Sequence, residues 1–271
     1  MRETRTRSIV ATTGTALALS TALSCTAGPA DASDLAETAG SARSAAAAEP
    51  YVVKGRAVDS AGRPIKGVKV VVKDQRYYNS NIVLDTGADG GYSAPLPHEP
   101  SSWVAGASLT RQYHGTWYTF DLEPSSTGSF RAGAGAVRDF TWRITGRRPG
   151  ADGRYYGGLV ATNLWFDDLP EETVDQDNVR LKLTPTVPLI DGSKGKVISG
   201  RKPVYTDSGW AVVDVPLGRY KITATYHSPS SGKVYPLQVK QTGASTFGSQ
   251  VTCDFEQSGT NQRIRLEVKF A

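Results

Sequence analysis

Residues 85–91, Asp85-Thr86-Gly87-Ala88-Asp89-Gly90-Gly91, set two carboxylates among three glycines just before Tyr92. Such a loop could cradle a metal ion or a phosphate. A calcium loop, however, wants carboxylates at alternating positions and a closing glutamate. A phosphate loop wants Gly-Lys-Ser or a helix N-terminus behind it. Neither follows here. Asp-Gly ahead of an aromatic residue is hairpin chemistry, because those positions need φ > 0 and an Asx-type local bond. The arrangement recurs as Asp207-Ser208-Gly209-Trp210 with a single carboxylate. The stretch reads as a turn, and no metal site is expected.

The remaining chemistry-bearing residues are sparse. His98 lies in a Pro-rich loop, while His114 and His227 lie at predicted hairpin tips. None has zinc-site spacing, and no Cys-x-x-Cys is present. His114-Gly115 reads as a substitute for Asn-Gly. No Gly-x-Ser-x-Gly occurs, so no catalytic residue is assigned. Glu99, Asp121, Glu123, Asp167 and Asp168 could supply a carboxylate pair for glycoside cleavage, but such acids are usually solvated surface groups. No cofactor is implied.

Aromatic residues are a stronger lead. Tyr77, Tyr78, Tyr113, Trp117, Tyr118, Tyr155 and Tyr156 cluster near predicted turns and strand ends, with Gln, Asn and Arg beside them. Exposed aromatic planes with polar neighbours suit sugar rings or wall polymers. The competing reading places period-two aromatics in the core or in cross-strand pairs. It is weakest for Tyr77-Tyr78, since adjacent strand residues cannot both face one core.

The elements that would position these residues are strands. Arg265, Glu267 and Lys269 alternate with Ile264, Leu266, Val268 and Phe270, giving one wet and one buried face. The same alternation marks residues 140–144, 179–183 and 220–224. Turn signals separate such runs at spacings near 8 to 12 residues, which is the pattern of antiparallel sandwiches. No segment shows a helical stripe; residues 170–178 could form one short turn. The fold class expected is all-β, as two sandwich units in tandem covering residues 51–148 and 154–271. The charged, Gly-rich segment 146–153 is the link. The second unit reads as a diverged repeat of the first: each has an Asp-turn, an aromatic, a strand and Pro-Leu, then a Tyr-His hairpin tip.

Upstream of residue 51 the composition changes. Arg2, Arg5 and Arg7 precede a short apolar run, Ala16-Leu17-Ala18-Leu19, and small residues follow to Cys25. This describes an export signal over residues 1–24, with an apolar core too short to span a bilayer. Ala22-Leu23-Ser24-Cys25 resembles a bacterial lipoprotein box, with Cys25 the lipidated residue. Ordinary secretion, with cleavage after Ala32, is the alternative. Residues 26–50 contain one Leu as the only large apolar residue and cannot offset their ordering entropy. They read as a disordered stalk reaching on the order of 25–30 Å. Removing residues 1–24 lowers the formal charge from +5 to +3. That mild excess, without a basic run, gives no support to nucleic-acid binding. Any membrane association is expected through the lipid anchor only.

Val53-Lys54-Gly55-Arg56-Ala57-Val58-Asp59, Gly62-Arg63-Pro64-Ile65, Gly67-Val68-Lys69-Val70 and Thr86…Asp89-Gly90-Gly91-Tyr92 resemble the carboxypeptidase regulatory-like domain. The resemblance covers about 45 residues and implies a prealbumin-like (transthyretin-like) sandwich. Members are mostly accessory or surface modules without catalytic residues, so none is carried over. The fold also serves a hydrolase of purine catabolism, whose C-terminal Tyr-Arg-Gly-Ser signature is absent here. The second unit departs from the motif, with Pro188-Leu189-Ile190-Asp191 where the Gly-x-Pro pair would stand. The function expected is a non-enzymatic cell-surface binding or adhesion module. Its partner would be an envelope glycan, a wall polymer or another surface protein, at the extracellular face of the membrane. The alternatives are an envelope hydrolase with its site between the units, or a structural spacer.

Overall fold

The computed structural model describes residues 47–150, 153–165, 173–259 and 261–271. The signal, Cys25 and nearly all of the stalk, together with Asp167 and Asp168, lie outside the described residues. The chain is all-β, as its alternation requires. Ten strands precede residue 146: β1 (Val52–Asp59), β2 (Lys69–Asp74), β3 (Asn81–Asp85), β4 (Gly91–Pro95), β5 (Ser102–Tyr113), β6 (Thr116–Asp121), β7 (Glu123–Pro124), β8 (Phe130–Arg131), β9 (Ala136–Val137) and β10 (Phe140–Trp142). Ten follow it: β11 (Gly158–Leu164), β12 (Val179–Pro185), β13 (Ile198–Arg201), β14 (Val204–Thr206), β15 (Gly209–Val215), β16 (Tyr220–His227), β17 (Val234–Gln241), β18 (Val251–Cys253), β19 (Glu256–Ser258) and β20 (Asn261–Phe270). Where a helical turn was expected, Gln176–Asn178 form a single 3-10 turn, and the Asp175 carboxylate accepts from Asp177 N–H.

Among the described residues no sheet mixes strands from the two groups. The first group makes two sheets, β4-β1-β10-β7 and β3-β2-β5-β6, with β9 against β1 and β8 against β5. The second makes one path, β13-β12-β16-β17-β20-β11-β15-β14, with β18 against β16 and β19 against β20. Both follow one pairing order. The opening strand lies antiparallel to the strand after the Asp-turn (β1 with β4, β11 with β15) and parallel to the closing strand (β1 with β10, β11 with β20). The sheets are therefore not purely antiparallel. Alternation fixes which face of a strand is buried but carries no signal of direction.

The two groups differ where the chain changes sheets. After β6 leaves β5, Leu122 intervenes and β7 pairs with β10. In the second group β17 does both jobs: residues 234–237 pair with β16 and 237–241 with β20. One continuous strand thereby joins what are two separate sheets in the first group. Val53, Val70, Val72, Trp103 and Phe140 fill the first core; Val160, Leu181, Ile222, Ile264 and Leu266 fill the second. Each aliphatic side chain buried this completely contributes about 1.5–3 kcal/mol.

Residues 85–91 form a turn. Gly87 N–H donates to Gly91 O at 2.8 Å, Gly90 N–H to Gly87 O at 3.0 Å, and Gly91 N–H to the Asp89 carboxylate at 3.0 Å. Gly91 N–H, with the Arg56 guanidinium beside it, holds the exposed Asp89 carboxyl below its ordinary range. Thr86 is buried; its hydroxyl donates to Ile65 O at 2.6 Å and accepts from Val68 N–H at 3.0 Å. This residue ties the loop at 65–68 to the strand edge. Among the described residues no three His, Cys, Asp or Glu side chains gather to hold a metal.

Candidate functional site: an aromatic-flanked cleft and an internal interface

The seven aromatics are distributed over three kinds of place. Tyr77 and Tyr78 stand in the turn between β2 and β3, with Tyr78 95% exposed and the Arg76 guanidinium 5.2 Å from the centre of the Tyr77 ring. Trp117 faces solvent from β6. Tyr155 is half-buried beneath the Arg147 guanidinium. Tyr118 and Tyr156, by contrast, are buried and offer nothing to a ligand. On β6 the pleat puts Tyr118 on the inward face with Phe120 and leaves Trp117 and Thr119 outside. Burial pushes the Tyr156 hydroxyl up to about 12.

Tyr113 and Tyr118 serve the junction between the two strand groups. Tyr118 OH donates to Phe255 O at 2.6 Å. Tyr113 OH donates to Pro188 O at 2.8 Å and accepts from Arg219 N–H at 3.2 Å. His114 and Gly115 form the two-residue tip between β5 and β6 with φ of 47° and 81°, the left-handed pair that Asn-Gly would supply. The His114 ring stacks on Tyr113 at 4.1 Å and lies 2.8 Å from Asp254, whose other oxygen meets Arg219 at 2.5 Å. β6 is an edge strand, and side chains from the second group blunt it. Gln257 Oε1 accepts from Thr119 N–H at 3.3 Å, and Gln262 Nε2 donates to Thr119 O at 2.9 Å. The sequence marked Asp254-Phe255 only as part of a strand; it could not show that they meet His114 and Tyr118, 140 and 137 residues away.

Among the described residues, candidate catalytic groups are engaged in ion pairs and local hydrogen bonds. Asp121 pairs with Arg148 at 2.7 Å and Glu123 pairs with Arg143. His227 meets Thr225 Oγ1 at 3.2 Å rather than a carboxylate. Asp121 and Arg148 also border a crevice of about 300 Å3 at the junction, together with Tyr155, Asp207, Ser208 and Gln262. Cys253 is buried on β18, and desolvation, with the nearby Asp254 carboxylate second, pushes its thiol up to about 11. A thiol-specific reagent at pH 8 is expected to label Cys253 only after unfolding; rapid labelling of native protein would contradict this burial. Because the unfolded thiol ionises near 9 and the folded one near 11, this group leaves stability unchanged below about 9 and lowers it as pH rises from there to about 11.

A second concavity lies in the first group. A cleft of about 970 Å3 is lined by Tyr51, Gln75, Arg76, residues 98–102 and residues 129–134. Its lining runs directly into the Tyr77-Tyr78 turn through Arg76. The Tyr51 and His98 rings lie parallel, 3.9 Å apart with 4° between planes. Tyr51 has φ of 58°, a costly conformation for a tyrosine. Hydrogen bonds pin it there: its N–H donates to Ala132 O at 2.9 Å, and its carbonyl accepts from Leu96 N–H at 2.8 Å. Sequence reading missed Tyr51 because nothing local marks a strained residue. His98 was visible only as a loop histidine.

No protein family matches this chain, and no curated protein resembles it in sequence. Solved structures similar to it include the Bacillus anthracis TIE protein, at 12% identity over 81% of this chain and 34% of that one, with a TM-score of 0.33. A streptococcal ancillary pilin follows at 11% identity over 80% and 61% of the two chains, TM-score 0.25. A single B repeat unit of the collagen-binding surface protein of Staphylococcus aureus follows at 13% identity over 82% and 100%, TM-score 0.22. The chain thus spans about a third of the first of these and about three fifths of the second. Scores this low carry no inference about this chain's activity.

Proposed function

We propose that the chain is a non-enzymatic, envelope-exposed binding protein that takes a glycan or wall polymer in the cleft of its first strand group. The observation that carries this reading is the parallel Tyr51–His98 pair in a large open cleft, flanked by the exposed Tyr77-Tyr78 turn. Aromatic planes give a sugar ring apolar area, and the surrounding serines and arginines give its hydroxyls partners. In this reading residues 1–24 export the chain, Cys25 carries a lipid and residues 25–50 hold the domain off the membrane. Residues 51–148 form a carboxypeptidase regulatory-like unit, and residues 154–271 a diverged repeat of it.

Two measurements test this. Purified full-length protein should be retained on isolated cell-wall polysaccharide, and Tyr77→Ala with Tyr78→Ala should weaken retention roughly tenfold or more, at about 1–3 kcal/mol for lost stacking. Absence of retention would leave the chain a spacer. Membrane partitioning should be lost in Cys25→Ala; partitioning unchanged by that substitution would remove the anchor from the proposal.

A further inference from the structure

The charge and donor pattern of the cleft points to a narrower ligand class. We infer that the cleft selects an acidic glycan, one whose sugar units carry a carboxylate or a phosphate. This rests on the proposal that the cleft binds a polymer at all, and deepens it.

The lining holds two guanidinium groups, Arg76 and Arg131, against one carboxylate, Glu99. Among the described residues neither arginine pairs with a carboxylate, unlike Arg63, Arg143, Arg148, Arg219 and Arg265 elsewhere. The Arg76 guanidinium makes one long hydrogen bond, 3.4 Å to Pro100 O, and lies 5.2 Å from the centre of the Tyr77 ring. Three hydroxyls, of Ser101, Ser102 and Ser129, share the lining. Ser101 is buried and its oxygen accepts from Trp103 Nε1 at 2.6 Å. That leaves its hydroxyl hydrogen to donate elsewhere. The cleft therefore offers an excess of donors and positive charge, which is complementary to a ligand rich in anionic acceptors. Guanidinium groups meet carboxylate and phosphate oxygens in bidentate fashion. A bare anion would have no use for the aromatic plate, and a neutral glycan would give neither guanidinium an anionic partner. A sugar bearing an anion uses both.

The test compares retention of the purified full-length protein on three immobilised polymers. These are polygalacturonate (carboxylate), poly(glycerol phosphate) substituted with hexose (phosphate), and dextran (neutral). Retention on at least one acidic polymer and none on dextran is expected, and which acidic polymer binds identifies the anion. Arg76→Gln with Arg131→Gln should weaken that retention about a hundredfold, roughly tenfold for each lost charge-assisted contact. Arg76→Lys with Arg131→Lys should rescue it only in part. His98→Ala should weaken it without changing positive charge, whereas Lys66→Gln with Arg111→Gln, which removes charge outside the cleft, should leave it unchanged. Equal retention on dextran would overturn the acidic specificity while leaving the glycan-binding reading in place. Loss of acidic binding in the Lys66/Arg111 variant would reduce it to ion exchange. No retention on any of the three, by protein that does bind whole wall polysaccharide, would overturn the acidic class alone. No retention on wall polysaccharide either would remove both readings.

Discussion

Gly55→Ala is expected to lower stability by roughly 3 kcal/mol or more, a large part of the ~5–15 kcal/mol that holds a domain together. A Cβ built on Gly55 lies 2.0 Å from Arg138 O and 3.1 Å from the Tyr92 ring. The obstacle is backbone, so no rotamer change relieves it. Arg138 O is also committed, since it accepts the Tyr92 hydroxyl at 2.6 Å, and Arg138 N–H donates to Lys54 O at 2.9 Å. The glycine in the first strand and the tyrosine after the Asp-turn are thus two sides of one contact, with Gly55 opposite Tyr92 in the β1–β4 register. Thermal unfolding would show it as a fall of roughly 6–12 °C. Gly106→Ala is the control: it is also a strand glycine, but its added methyl meets nothing within 4 Å. A similar loss in both variants would mean that the approach of Arg138 does not set the cost.

That contact also shows where sequence reading reaches its limit. Period-two alternation located strands within 140–144, where β10 ends at Trp142, and at 179–183, 220–224 and 264–270, because a half-buried strand must alternate whatever its partners. Turn chemistry at Asp89-Gly90 and His114-Gly115 was legible for a similar reason: few residues tolerate φ of 74° at Gly90 or 47° at His114. The parallel pairing of β1 with β10 and of β11 with β20 was not legible, since a pleat has the same period in either direction. Among the aromatics, the sequence separated Tyr77-Tyr78 from a single core face, and both are exposed. It could not tell Trp117 from Tyr118, which are neighbours on opposite faces. Nor could it see that Tyr118 finds its acceptor 137 residues away. The cleft escaped notice for the same physical reason: Tyr51, His98 and Arg131 are brought together by sheet packing alone.

The same long-range contacts bear on the proposed division at residues 146–153. Protease is expected to nick the protein between residues 149 and 153, yet the two fragments should elute together under native conditions. The base of this segment is tied down: Gly146 N–H donates to the Asp214 carboxylate at 2.8 Å, Tyr156 N–H to Gly146 O at 2.8 Å, and Arg148 Nε to Tyr155 O at 2.9 Å. Pro149, Gly150 and Gly153 are exposed, the two glycines with φ of 67° and 69°, and exposed loop positions of this kind are preferred sites of nicking. Across the junction, Tyr118 to Phe255, Tyr113 to Pro188, His114 to Asp254 and Thr119 to Gln257 and Gln262 hold the two strand groups independently of that covalent link. Tyr118→Phe leaves the Phe255 carbonyl without its donor at a cost of roughly 1–3 kcal/mol. Asp254→Ala removes the partner of both His114 and Arg219. In the nicked double variant the fragments should separate on size-exclusion chromatography, while the uncut double variant stays in one piece. Fragments that separate in the nicked wild type would show the junction to be weaker than its hydrogen bonds imply. Fragments that stay together in the nicked double variant would place the holding energy in the buried Phe255 and Tyr118 rings rather than in the polar contacts around them.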